Sequence, residues 1–165
     1  MEQEESKQAD ERRDQLMQVF LREISRMSTW TVVFHGAVAT RLGLNPTDLK
    51  CGGVLRETGP ITAGELARLT GLTTGAITGV IDRLEKRGFV RRVDDPNDRR
   101  RVIIEPIEER AGSKDVQQLF APLGAATTSQ MLGHYSEAEM ELLLDFIRRG
   151  TELMKEQTAR LQQRE

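Results

Sequence analysis

The sequence predicts a mainly α-helical fold carrying one small β-hairpin, and three observations predict it. Apolar residues recur every three or four positions from Leu16 to Leu42. Three short segments follow, each opening on a helix-capping residue flanked by an apolar pair. The stretch Asp82–Arg101, DRLEKRGFVRRVDDPNDRRR, then passes from an amphipathic helix end through a glycine into two apolar-basic segments around a polar turn. Helix, tight turn, helix and hairpin in that order describe a winged helix-turn-helix.

Leu16, Phe20, Ile24, Met27, Trp30, Phe34, Val38 and Leu42 form the stripe of one long amphipathic helix that Gly43 stops. About 30 residues of helix reach ~45 Å, more than a compact domain of this size needs, so a partner helix is expected beside it. The polar start, Met1 to Asp14, is expected to fray. Asn45 caps the next helix with Pro46 at its first position, between Leu44 and Leu49 as a hydrophobic staple, and Gly59-Pro60 ends it. Thr62 and Glu65 make a capping box with Ile61 and Leu66 as staple, and Gly71 closes that helix. Thr73 caps the following one with Leu72 and Ile77 as staple, and Gly88 ends it. Phe89–Val93 and Arg101–Glu105 read as the strands of the wing, with Asp94 to Asp98 as a long tip. Helix then resumes. Ser136 and Glu139 form another capping box, and Met140, Leu143, Leu144, Ile147, Met154 and Leu161 carry an apolar stripe toward the C-terminus.

A chain of 165 residues with 38% hydrophobic and 30% charged side chains suits a single domain over 1–165. Within it the pattern divides into a long N-terminal helix (1–43), a winged helix-turn-helix (44–106) and C-terminal helices (107–165). No apolar run approaches a membrane span, and no apolar signal segment opens the chain, so a cytoplasmic protein without membrane contact is expected. The lone Cys51 excludes an intrachain disulfide, and two scattered histidines, His35 and His134, do not suggest zinc, so neither metal nor cofactor is expected. No nucleophile, base and orienter converge in the pattern, so an enzyme is not expected. Asp94, Asp95 and Asp98, with Pro96 and Asn97, read as turn chemistry.

Charge singles out the partner class by its distribution. Residues 83 to 101 hold Arg83, Lys86, Arg87, Arg91, Arg92, Arg99, Arg100 and Arg101 against four acids, a net +4 in a chain of total charge −2, which leaves −6 elsewhere. One cationic patch on an acidic protein marks a polyanion-binding surface, and double-stranded DNA is the expected partner. On the helix capped by Thr73, Ile77, Val80, Ile81 and Leu84 face the core. The opposite face holds Gly75, Gly79, Asp82 and Lys86, flanked by Ala76 and Arg83. Exposed helical glycines cost about 1 kcal/mol each, which close approach to a groove or phosphate would offset. Thr62, Thr73, Thr74 and Thr78 can donate to phosphates or bases, Arg83 can read guanine, and Arg99, Arg100 and Arg101 can enter a narrow minor groove. Asp82 needs a cation there: Lys86 is one turn on, and a bridge to Arg100 would tie the wing to the helix.

From Leu42 to Ile104 these residues resemble the multiple antibiotic resistance regulators, the MarR family. ITAGELA, the DRLEKRG helix end and DPNDRR at the wing carry the resemblance together, while FAPL at 120–123 and YSEAEMELLLDFI match in pattern. The resemblance implies a homodimer built by N- and C-terminal helices, acting as a repressor on pseudo-palindromic DNA and released by a small, often aromatic, effector. It also implies the Asp82–Arg100 ion pair between wing and helix. An effector site between dimer helices and DNA-binding lobe would involve Trp30, Phe34 and His35, although Trp30 and Phe34 also suit core or dimer packing. Pro106 to Gly112 departs from the family's usual Leu-Thr and glycine-containing turn after the wing. Cys51 lies in the second helix, where a packed thiol is expected rather than the reactive cysteine of peroxide sensors. A winged-helix module binding protein, RNA or non-specific DNA is the competing function.

Overall fold

A computed structural model of the chain describes residues 2–96, 98–107 and 111–162. They form two compact units, Met1–Lys50 and Cys51–Glu165.

The first unit is dominated by α1 (Glu2–Arg41), a helix of 40 residues that spans ~60 Å. It begins within the stretch expected to fray. Residues 2–14 contain no glycine, proline or β-branched side chain, so nothing in them opposes helix once the rest propagates it. The helix ends as its apolar stripe does. Gly43 adopts a left-handed φ of 64°, and its N–H and that of Leu44 fold back onto the carbonyls of Thr40 and Ala39 at 3.1 and 2.9 Å, a Schellman closure that satisfies the last carbonyls. Val38, Ala39, Leu42 and Leu49 are buried in this unit, whereas Leu16, Phe20, Met27 and Trp30 on the same stripe are at least half exposed. Asn45 caps α2 (Pro46–Thr58). Its Oδ1 accepts from the Asp48 N–H at 2.8 Å, and the Asp48 carboxylate accepts from the Asn45 N–H at 3.2 Å. That reciprocal box gives the fully buried Asp48 side chain a partner.

In the second unit, β1 (Ile61–Thr62), α3 (Ala63–Thr70), α4 (Thr74–Lys86), β2 (Val90–Asp95) and β3 (Asp98–Pro106) follow in order. The strands form an antiparallel sheet of order β1-β3-β2. The β1 strand was not legible in the sequence: Ile61 and Thr62 serve as staple and cap of α3 while also pairing with Ile104 and Ile103. The hairpin is longer than its apolar residues suggested. Pairing is regular from Val90↔Pro106 to Asp94↔Val102, then jumps to Asp95↔Asp98, so three of the aspartates expected in the tip belong to strands. Asn97, at the tip, lies outside the described residues. Leu55, Leu66, Ile77, Val80, Ile81, Leu84, Val90 and Ile104 make the core of this unit, with Cys51 of α2 buried as a packed thiol.

After β3 the Ile107 N–H donates to the Phe89 carbonyl at 2.9 Å; residues 108–110 of the atypical connection lie outside the described residues. Then come α5 (Ala111–Ala126), a π-helical turn at Thr127–Met131, a 3-10 turn at Leu132–His134 and α6 (Glu137–Gln162). Ser136 caps α6 as expected, its N–H and hydroxyl donating to the Glu139 carboxylate at 2.8 and 2.7 Å. No residue of α6 is buried. Among the described residues no helix is long and apolar enough to cross a membrane.

Candidate nucleic-acid interface

Two short helices and a left-handed glycine build the site. Thr62 Oγ1 accepts from the Glu65 N–H at 3.1 Å at the start of α3. Gly71, with φ 70°, ends α3 and turns the chain. Thr73 then stands in extended conformation and its Oγ1 accepts from the Ala76 N–H at 3.3 Å, opening α4. Ile77, Val80, Ile81 and Leu84 are buried at 2% exposure or less, which fixes the rotation of α4 about its axis. Thr73, Thr74, Gly75, Ala76, Thr78, Asp82, Arg83 and Lys86 are consequently exposed, with Gly79 half-buried. The two glycines differ. A Cβ at Gly75 would meet open space, whereas one at Gly79 would lie 3.2 Å from an Arg83 guanidinium nitrogen, so Arg83 leans back over Gly79. Thr78 donates its hydroxyl to the Thr74 carbonyl at 3.0 Å. Thr62 and Thr73 use only an oxygen lone pair as caps, and each hydroxyl proton remains for a second partner.

On the wing, the register jump between Asp94↔Val102 and Asp95↔Asp98 leaves Arg99, Arg100 and Arg101 without counterparts on β2. Arg101 is exposed, its Nε 3.9 Å from the nearly buried Asp95 carboxylate. The side chains of Arg99 and Arg100 lie outside the described residues, and with them the expected Asp82–Arg100 bridge. Asp82 bonds to Arg92 of β2, at 2.5 Å from its terminal nitrogen. Arg92 also ion-pairs with Glu85 through its guanidinium, and its backbone N–H donates to Glu85 Oε1 at 3.1 Å. These carboxylates hold the Arg92 pKa above its ordinary value, the Asp82 hydrogen bond most of all. Its neighbour Arg91 pairs with Glu105 at 2.6 Å, directly across the hairpin, and lowers that carboxyl's pKa through the hydrogen bond. Arg91, Arg92 and, at the longer distance, Arg101 are thus paired within the protein, while Lys86 and Arg87 have no ion pair among the described residues. Sequence reasoning missed Arg92, yet strand parity carried the signal: it lies on the Val90 face of β2, and Val90 is buried.

In the first unit, Trp30 is 64% exposed and Phe34 and His35 are half-buried. The Phe34 and His35 rings lie 5.9 Å apart, tilted by 55°. Lys50 Nζ sits 2.5 Å from His35 Nδ1, within hydrogen-bond distance. Burial, then the charge of Lys50, lowers the His35 pKa, and burial lowers that of Lys50. Lys50 had no signal in the sequence beyond its place on α2. Among the described residues no cluster of three His, Cys, Asp or Glu side chains could hold a metal ion.

Residues 44–102 match the MarR family. Over 151 residues the chain is 45% identical to the HTH-type transcriptional regulator YcgE of Bacillus subtilis (strain 168), an alignment covering 92% of this chain and 96% of that relative. The chain belongs to the MarR family. Its fold is that of solved relatives: the transcriptional regulator Tm0710 of Thermotoga maritima superposes with a TM-score of 0.58 at 22% identity, covering 86% of this chain and 98% of that one. A mutant MarR from E. coli complexed with operator DNA superposes with a TM-score of 0.52 at 22% identity, over 78% of this chain and 90% of that one. This MarR-family protein therefore carries a winged helix-turn-helix, with α3 and α4 as its helix pair and β2–β3 as its wing.

Proposed function

We propose that this MarR-family protein is a homodimeric transcriptional repressor that binds a pseudo-palindromic operator through α4 and the wing. The observation that carries this reading is the outward face of α4, where Thr73, Thr74, Gly75, Ala76, Thr78 and Gly79 leave a low surface beside Arg83 and Lys86. A helix with so little side chain on its outer face can approach a major-groove floor closely. Thr62, Thr73 and Thr74 supply hydroxyls for phosphates, Thr78 a methyl for thymine, Arg83 a fork for guanine, and Lys86 a phosphate counter-charge. Arg99, Arg100 and Arg101 on the bulged strand reach an adjacent minor groove, where narrow A·T-rich sequence attracts guanidinium. Such a regulator acts in the cytoplasm, with the chromosome. A small aromatic effector releases it by binding near Trp30, Phe34 and His35, with Lys50 supplying a cation beside the rings.

Selection of bound fragments from a random duplex pool at near-physiological salt tests the reading. The expected product is an inverted repeat with half-sites about 10 bp apart, centre to centre. Uniform recovery, with binding that simply fades as salt rises, would sink operator recognition and favour a non-specific or protein-partnered role.

A further inference from the structure

Arg92, although exposed, reaches back to the recognition helix. Along β2, Val90 is buried, Arg91 is exposed and pairs across the hairpin with Glu105, and Arg92 returns to the Val90 face, opposite the buried Ile104 of β3. There it meets Asp82 and Glu85, one turn apart on α4, and bonds both carboxylates with one guanidinium. Two acids at this spacing repel each other on an isolated helix, and both would repel a phosphate backbone. A planar cation between them removes the first problem and reduces the second. The fork also has a directional role that a point charge lacks, since each arm is committed to a different residue of α4. The backbone N–H of Arg92 adds a third bond to Glu85, so strand as well as side chain is tied down.

We infer that Arg92 is a positioning residue: through Asp82 and Glu85 it holds the hairpin at a fixed angle to α4, without itself contacting DNA. The inference rests on the reading of α4 as the helix that enters the groove. It assigns a wing-to-helix link to a residue of the first wing strand.

The decisive variant is the double substitution E85Q/R92Q, which cuts the link without changing net charge. Operator and random-duplex affinities are measured over a range of salt. Operator binding is expected to weaken about tenfold, with random-duplex binding and the slope of log affinity against log salt both retained. A phosphate-contacting Arg92 would instead weaken both duplexes alike and reduce the slope by about one, which overturns the proposal, as does unchanged operator affinity. Hydrogen exchange of the β2 and β3 amides in DNA-free protein gives a second readout that does not depend on the operator. Faster exchange in E85Q/R92Q is expected, and unchanged protection overturns the link. Should the double variant fail to fold, R92K decides, since it keeps the charge and loses the fork: partial loss of operator binding at constant slope is expected, and full affinity overturns the proposal. Wild-type protein that selects no operator, while exchange still responds, would sink the DNA reading and leave the link standing.

Discussion

Gly75 and Gly79 sit on the same outward face of α4 for different physical reasons. Gly79 makes room for the Arg83 side chain, whose guanidinium occupies the space a Cβ would crowd. At Gly75 nothing in the protein lies within reach of an added Cβ, and its φ is not among the left-handed ones. Neither internal packing nor backbone conformation calls for glycine there. Gly75→Ala should therefore stabilise the folded protein by up to about 1 kcal/mol, through the backbone entropy that alanine removes from the unfolded chain. If the helix meets a groove floor at that point, the same methyl should weaken operator binding by about 1–3 kcal/mol, the usual range for overfilling a close contact. A raised melting temperature with unchanged operator affinity would remove Gly75 from the interface. Residue-level contacts were the least legible part of the site in the sequence. Asp82 plainly required a cation, but Lys86 and Arg100 are the nearest choices by helix spacing and by resemblance. Arg92 emerges only when the parity of β2 is counted from the buried Val90.

Helix starts, by contrast, were readable almost to the residue. Asn45, Thr62, Thr73 and Ser136 all cap helices, because a short polar side chain before an apolar run has few better uses than satisfying an orphan N–H. Elements set by distant pairing were not readable. The two residues of β1 are too few to show a period, and the hairpin extends into aspartates whose local preference is for turns, because cross-strand pairing overrides it. The π-helical turn at Thr127–Met131 has no sequence signature of this kind. Thr73 tests the link between a cap and function. Thr73→Ala should destabilise the protein by about 1 kcal/mol and loosen the first turn of α4, and should also lower operator affinity through the lost hydroxyl. Thr73→Ser, which keeps the hydroxyl, should restore most of both in chemical denaturation and binding assays. Full stability of the alanine variant would show that the 3.3 Å bond to the Ala76 N–H carries no weight.

At the scale of the whole molecule, the apolar stripes of the terminal helices are far larger than either helix can bury alone. On α1, Leu16, Phe20, Met27 and Trp30 are exposed by 50 to 64%, and on α6, Leu144, Ile147, Met154 and Leu161 by 51 to 71%. Each set recurs along its helix at spacings that keep it on a common side, and soluble monomers rarely leave apolar surface of that extent in water. A second copy of the chain is the partner that the proposed pseudo-palindromic operator would also demand, because a two-fold DNA site matches a two-fold protein. The protein should sediment as a dimer at micromolar concentration. Phe20→Glu, which sets a charge in the middle of the α1 stripe and lies outside the winged helix, should shift it toward monomer. It should also cost most of the operator affinity, since one half-site then binds without the avidity supplied by the other. Residual binding to a single half-site should persist in that variant, as the α4 surface is untouched. A wild-type monomer that still binds the full inverted repeat would break the argument at its first step and leave the exposed stripes of α1 and α6 to another partner.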